Sequence, residues 1–116
     1  MKATLCSDEF ELEKDLDILI SYDENRPGYA NAETLDDLGY GKADVRNTLL
    51  SITPQDYSET LPDIKDTTTP AFRVFGKCIN KKEIYIKVKI RDKAHGQIFC
   101  VSFHYALHQV TKPFAI

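Results

Sequence analysis

No stretch of this sequence approaches the ~18 consecutive apolar residues of a membrane-spanning helix, which excludes a helical membrane protein as a reading. The opening MKATLCSDEFELEKD lacks the charged-then-apolar order of a signal peptide, so the expected location is cytoplasmic. Cysteine is scarce. Cys6, Cys78 and Cys100 make an odd count with no C-x-x-C pair, which fits reduced thiols and argues against a disulfide framework. Cys78 and Cys100 fall in strand-like segments and read as small packing residues. Internal repeats and low-complexity tracts are absent. No acidic third ligand stands near His104 and His108, so neither a metal nor another cofactor is expected.

The 116 residues suit one domain, with a helical part over about 7–57 and a sheet part over about 71–116. The net charge of -3 conceals a division. Residues 1–70 carry 6 Lys or Arg against 16 Asp or Glu, whereas residues 71–116 carry 9 against 2 and hold all 3 histidines. A basic C-terminal part points to a polyanionic or acidic partner, and packing of the two parts on each other explains the division equally well.

The strongest pattern is EIYIKVKIR, Glu83 to Arg91. Ile84, Ile86, Val88 and Ile90 alternate with Glu83, Tyr85, Lys87, Lys89 and Arg91, which describes a strand with one buried face and one cationic face. Two further strands are expected over Phe72–Ile79 and Gln97–Tyr105. Upstream, Ser7 with Asp8 and Glu9 reads as an N-cap, and Phe10, Leu12, Leu16, Leu19 and Ile20 predict an amphipathic helix to about Tyr22. A turn is expected over Asp23–Ala30. A short helix follows over Asn31–Leu38, stopped by Gly39, and another over Lys42–Ser51 with Val45, Leu49 and Ile52 on one side. Thr53-Pro54-Gln55-Asp56 starts a brief helical turn. Ser58 to Pro70 has two prolines and no period, which predicts a long loop, and the last eleven residues read as a short extra strand or a helical turn.

Helices before strands indicate an α+β fold, with helices on one face of a small antiparallel sheet. A four-residue loop at Lys93–Gly96 would pair Ile86 with Phe103, Val88 with Val101 and Ile90 with Phe99, and Tyr85 with His104 on the other face. The loop around Asn80-Lys81-Lys82 leaves two registers open. Three loop residues put Arg73 and Lys77 on the cationic face, and two put Val74 and Gly76 there.

The segments LDDLGYGKADVRNTLLSITPQDYSE (Leu35–Glu59), FRVFGK (Phe72–Lys77), EIYIKVKI (Glu83–Ile90) and FCVSFHYA (Phe99–Ala106) together resemble the MqsR family of bacterial toxins. The resemblance implies a RelE-like fold, like that of microbial ribonucleases. It also implies metal-independent endoribonuclease (mRNA interferase) activity on mRNA, free or on the ribosome, and inhibition by a cognate antitoxin protein. Carried over by position, the family's sheet tyrosine falls on Tyr85 and the next lysine on Lys87. The lysine of its "VSFK" strand end falls on His104, the lysine of its "DFYK" stretch on Glu59, and a glutamine on Phe72. Those departures leave two possibilities: a catalytic set rebuilt around His104, or a member that cuts weakly or not at all.

Metal-free RNA cleavage uses the 2′-hydroxyl as nucleophile and needs a proton acceptor, cations on the phosphoryl oxygens and a proton donor for the leaving 5′ oxygen. The candidate catalytic residues are therefore Tyr85, Lys87 and His104, an imidazole being able to act as acid or base near neutral pH. Arg73, Lys77, Lys89 and Arg91 are the candidate phosphate-binding residues. Two competing readings are a non-catalytic protein of the same fold that binds RNA or a protein through its basic face, and an interaction module acting through the acidic first helix.

Overall fold

The computed structural model describes residues 5–6, 10–20, 30–92 and 97–115. The alternating segment is the middle strand of a five-stranded sheet, β4 (Lys82–Asp92). It lies between β3 (Phe72–Ile79) and β5 (Gln97–Tyr105), antiparallel to both. Two short strands close the sheet: β2 (Tyr57–Leu61), antiparallel to β3, and β1 (Leu16–Ile18), parallel to β5. The sheet is therefore mixed, where a wholly antiparallel one was expected. Among the described residues the helices α1 (Leu12–Asp15), α2 (Asn31–Leu38) and α3 (Lys42–Ser51) precede most of it. Leu35, Val45 and Leu49 from the helices and Ile84, Ile86 and Val88 from β4 share one buried cluster, so the helices cover the apolar face of the sheet. The molecule is a small α+β domain, and among the described residues no helix is long and apolar enough to cross a membrane.

Local signals set the two longer helices. Gly39 ends α2 with φ +68, a conformation that strains any residue with a Cβ, while its amide and that of Tyr40 reach back to the carbonyls of Asp36 (3.1 Å) and Leu35 (2.8 Å). Val45, Leu49 and Ile52 are buried as their spacing predicts. The Thr53 amide donates to Asp56 Oδ2 at 2.9 Å, capping the single 3₁₀ turn Pro54–Asp56.

The first predicted helix is instead one turn followed by a strand. Leu16 and Ile18 are buried with Asp17 between them facing out, and Leu19 and Ile20, counted on the helix's apolar side, are 44% and 61% exposed. The apolar spacing fits period 3.6 as well as period 2. Pairing decides it: β5 has buried backbone groups on its open edge, and Leu16–Ile18 satisfies them, continued by the Leu19 amide on the Cys100 carbonyl (3.0 Å). The expected cap at Ser7 and the turn over 23–29 lie outside the described residues, as does the 93–96 loop. β2 likewise replaces the first part of the predicted 58–70 loop. An edge strand of polar residues has no apolar alternation to announce it. The tail after β5 forms neither strand nor helix up to residue 115.

Two registers position the functional face. β3 and β4 are joined by the two-residue turn Asn80-Lys81, with φ +51 and +68, the conformation of a type I′ hairpin turn. Gly76 therefore stands opposite Tyr85, and Val74 opposite Lys87. Between β4 and β5 the expected pairs Tyr85–His104, Ile86–Phe103 and Lys87–Ser102 form, but a bulge after Lys87 shifts the rest. Val88 faces Cys100 and Ile90 faces Ile98, correcting the expected Val88–Val101 and Ile90–Phe99 pairs. Ile98 and Cys100 are consequently fully buried, while Val101 and Phe99 are only half-buried. Asn31, itself buried, pins this bulge. Its side-chain oxygen accepts the Phe103 amide at 2.8 Å, and its Nδ2 donates to the carbonyls of Val101 (3.0 Å) and Leu19 (2.7 Å). Thr34 accepts the Tyr105 amide at 3.1 Å, so α2 serves as the hydrogen-bonding neighbour of β5 where β1 has ended.

Candidate functional site

The face away from the helices carries Tyr85, Lys87 and Lys89 from β4, Ser102 and His104 from β5, and Val74 and Gly76 from β3. β2 adds Glu59, opposite Val74. The C-terminal segment then folds back across this face. The Ala106 amide donates to the Glu83 carbonyl at 3.0 Å, Val110 is buried, and Lys112 pairs with Glu83 at 3.2 Å. Phe114 stacks on Tyr57 with ring centres 5.8 Å apart. Gly76 lies beneath the segment. A Cβ there would stand 2.9 Å from Val110 Cβ and 2.8 Å from Lys112 Cε, so the crossing requires a residue without a side chain.

Between segment and sheet runs a cleft of about 340 Å³, lined by Ser58, Glu59, Tyr85, His104 and residues 106–111, His108 among them. The Tyr85 and His104 rings stack at 5.3 Å with 19° between their planes. His104 Nδ1 lies 3.0 Å from the Tyr105 carbonyl oxygen, a contact in which Nδ1–H donates, leaving Nε2 to exchange a proton with a ligand. Burial, and secondarily the charge of Glu59, push the Tyr85 hydroxyl above its ordinary value of 10.0. Near neutral pH the hydroxyl therefore keeps its proton and can donate a hydrogen bond.

The structure separates the seven predicted site residues. Tyr85 and His104 are brought together in the cleft. Lys87 stands one row along the same face, outside the cleft lining; its Nζ lies 4.8 Å from the Phe72 ring centre, and it has no carboxylate partner among the described residues. Lys89 is buried, with its Nζ 2.6 Å from Asp63 Oδ2 and 2.9 Å from Thr69 Oγ1, so its charge clasps the 62–71 loop. Arg91 lies over the Phe99 ring (4.1 Å) and donates to Asp17 at 2.9 Å. The two-residue hairpin puts Arg73 and Lys77 on the helix side of the sheet, which corrects their assignment to the cationic face. Lys77 there donates to the Ser51 carbonyl (3.2 Å) and Asp56 (3.3 Å), while Arg73 is exposed. Burial raises the Asp56 carboxyl, but the Thr53 amide and Lys77 outweigh it and hold the group below 3.8.

Comparison of the chain with protein-family models, with curated proteins and with solved structures finds no match. The site's chemistry consequently rests on its own geometry.

Sequence reasoning placed Gly76 on this face in only one of two open registers, named Glu59 only where the resemblance expects a lysine, and weighed His108 only as half of a metal pair. Asn80 was the available signal, because asparagine tolerates the positive φ of a two-residue turn, and that register alone places Gly76 beside Tyr85. Cys100 is buried, and burial pushes its thiol up to about 12, which makes it inert. Cys78 is exposed and is not the packing residue expected. Among the described residues no group of three His, Cys, Asp or Glu could hold a metal ion.

Proposed function

We propose that this chain is an endoribonuclease of the RelE-like class, a cytoplasmic toxin of the MqsR family that cuts mRNA without a metal and is silenced by a cognate antitoxin protein. One observation carries the reading: His104, its Nδ1 tied back to the Tyr105 carbonyl, is stacked on Tyr85 in an open cleft on the helix-free face. In this scheme the scissile phosphate lies beside Tyr85, whose hydroxyl donates to a phosphoryl oxygen. Lys87 supplies the nearby positive charge, and His104 moves the proton.

Cleavage should survive EDTA and leave a 2′,3′-cyclic phosphate. His104→Ala should slow it by roughly 10²–10⁴, the usual worth of a positioned acid or base. A requirement for added divalent metal, or full activity in a folded His104→Ala protein, rejects the scheme. The second reading is non-catalytic binding of RNA or a protein partner through this face; the pairing of Lys89 with Asp63 and of Arg91 with Asp17 weakens the field for phosphate and so favours its protein-partner form. Growth arrest on induction with bulk mRNA intact would select it.

A further inference from the structure

We infer that the helix side of the sheet holds a second binding site, one for a small aromatic carboxylate, with Arg73 at its mouth and Phe75, Val88 and Ile90 as its floor. The site is separate from the cleft and stands whether or not the chain cuts RNA.

The helices cover their side of the sheet unevenly. Their contacts with it concentrate on β5 and β1, and β3 is met by the 3₁₀ turn, where Lys77 reaches Asp56. Where β2, β3 and β4 run side by side a cavity of about 350 Å³ remains, with Thr60, Ala71 and Arg73 around its rim. Strand pairing brings these residues together. Arg73 stands opposite Val88 on β4 and opposite Thr60 on β2, and Phe75 and Ile90 follow two residues along on the same face. Phe75 and Val88 are buried, so the floor is apolar. Thr60 and Ala71 are too short to fill the space above it.

Size, charge and a hydroxyl select the ligand. The volume falls in the lower part of the ~300–1,000 Å³ range of small-molecule sites, room for one ring system and not for a polymer. No carboxylate lines the cavity. Lys77, Lys89, Arg91 and Lys112 are each tied to an acid, whereas Arg73 is exposed and has no ion pair or hydrogen bond among the described residues. Its planar fork matches a carboxylate through two parallel hydrogen bonds. Thr60 Oγ1 lies 2.6 Å from the Tyr57 hydroxyl. With the tyrosine donating, the Thr60 proton is left for a third bond to the same carboxylate. A bound aromatic acid sets its ring on Phe75 and Val88 and its charge at the mouth. The ring leaves water there, and the charge keeps water on its outer side.

The test titrates the full-length, isotope-labelled protein with 2-naphthoate and with the neutral 2-naphthalenemethanol, followed by NMR. Naphthoate should give saturable shifts at Thr60, Val88 and Ile90 and none at Tyr85 or His104. The alcohol should bind roughly 10–100-fold more weakly, the worth of hydrogen bonds to a charged group. Arg73→Gln, at an exposed position, should lose that same factor for naphthoate and leave the alcohol unchanged. Ala71→Phe, which fills the cavity from its rim, should abolish both. Absence of saturation at millimolar naphthoate overturns the site, and so do shifts centred on Tyr85 and His104. Equal affinity for acid and alcohol, or wild-type naphthoate binding in Arg73→Gln, overturns the role of Arg73 and with it the carboxylate assignment.

Discussion

At one end of β4, Tyr85 and Lys87 face an open cleft or its margin; at the other, Lys89 and Arg91 on the same outer face are tied to carboxylates. The alternation is continuous from Glu83 to Arg91, and the pleat treats both ends alike. What differs is what the rest of the chain brings to each end. The 62–71 loop delivers Asp63 to Lys89 and β1 delivers Asp17 to Arg91, whereas no acid pairs with Lys87 among the described residues. The β-bulge after Lys87 falls between the two ends. A row of like residues on a strand is thus no guide to a charged surface until the acids of remote segments have been placed, since one buried or bidentate partner cancels the field of a cation.

The comparison breaks most severely at the bulge. Asn31→Ala leaves the buried Phe103 amide and the part-buried Val101 and Leu19 carbonyls without this partner. At about 1–3 kcal/mol for a buried group left unpaired, and less for the two carbonyls nearer solvent, the loss should reach about 2–4 kcal/mol, read as a lowered urea midpoint. A midpoint unchanged by the substitution would mean that the strand pairing alone holds the bulge.

On the proposed reading, a second and smaller contrast separates the two ends directly. Lys87→Ala should weaken binding of a 2′-O-methyl RNA about tenfold, the scale of one charge-assisted hydrogen bond. Arg91→Ala, whose cation is already paired with Asp17, should change binding by less than about twofold. Equal losses in the two variants would show that the sealed end also meets RNA.

The smallest effect sharpens the comparison through pH. The hydrogen bond from Lys89, partly offset by desolvation and helped by the amides of Lys65 and Asp66, holds the Asp63 carboxyl below 3.8. Its folded-state value is thus lower than its unfolded one. The stability it contributes is fully present above the unfolded value and is lost as pH falls through the folded one. Asp63→Asn should therefore flatten the fall in thermal midpoint on acidification below about pH 4, the ordinary carboxylate range, while leaving Lys87-dependent binding alone. An acid limb of unchanged steepness would show that the clasp contributes nothing at equilibrium.

How much of this was legible in the residues varies by element. The β4 alternation, α2 with its Gly39 stop, the buried side of α3 and the Thr53–Asp56 cap are local features, written in period, propensity and capping chemistry within a few residues. Tyr85 beside His104 was legible too, because burying Ile86 on Phe103 allows only one register. Beyond Lys87 that logic failed: Phe99 and Val101 form as good an apolar set as Ile98 and Cys100, and alternation within β5 cannot say which faces in.

The sequence by itself therefore determined the two longer helices and the Tyr85–Lys87 part of the β4–β5 pairing, and with it the pair at the heart of the candidate site. Tertiary structure decided the rest. β1 and β2 are strands because neighbouring edges had unpaired backbone groups to satisfy, with apolar spacing that fits helix or strand in one case and without any in the other. Asn31 reaches across the fold to set the bulge, Asp63 and Asp17 remove two cations, and the tail crossing Gly76 makes a cleft of a flat face. Each depends on groups far apart in the chain meeting in one place, a coincidence fixed by the summed packing of the core and by no local run of residues.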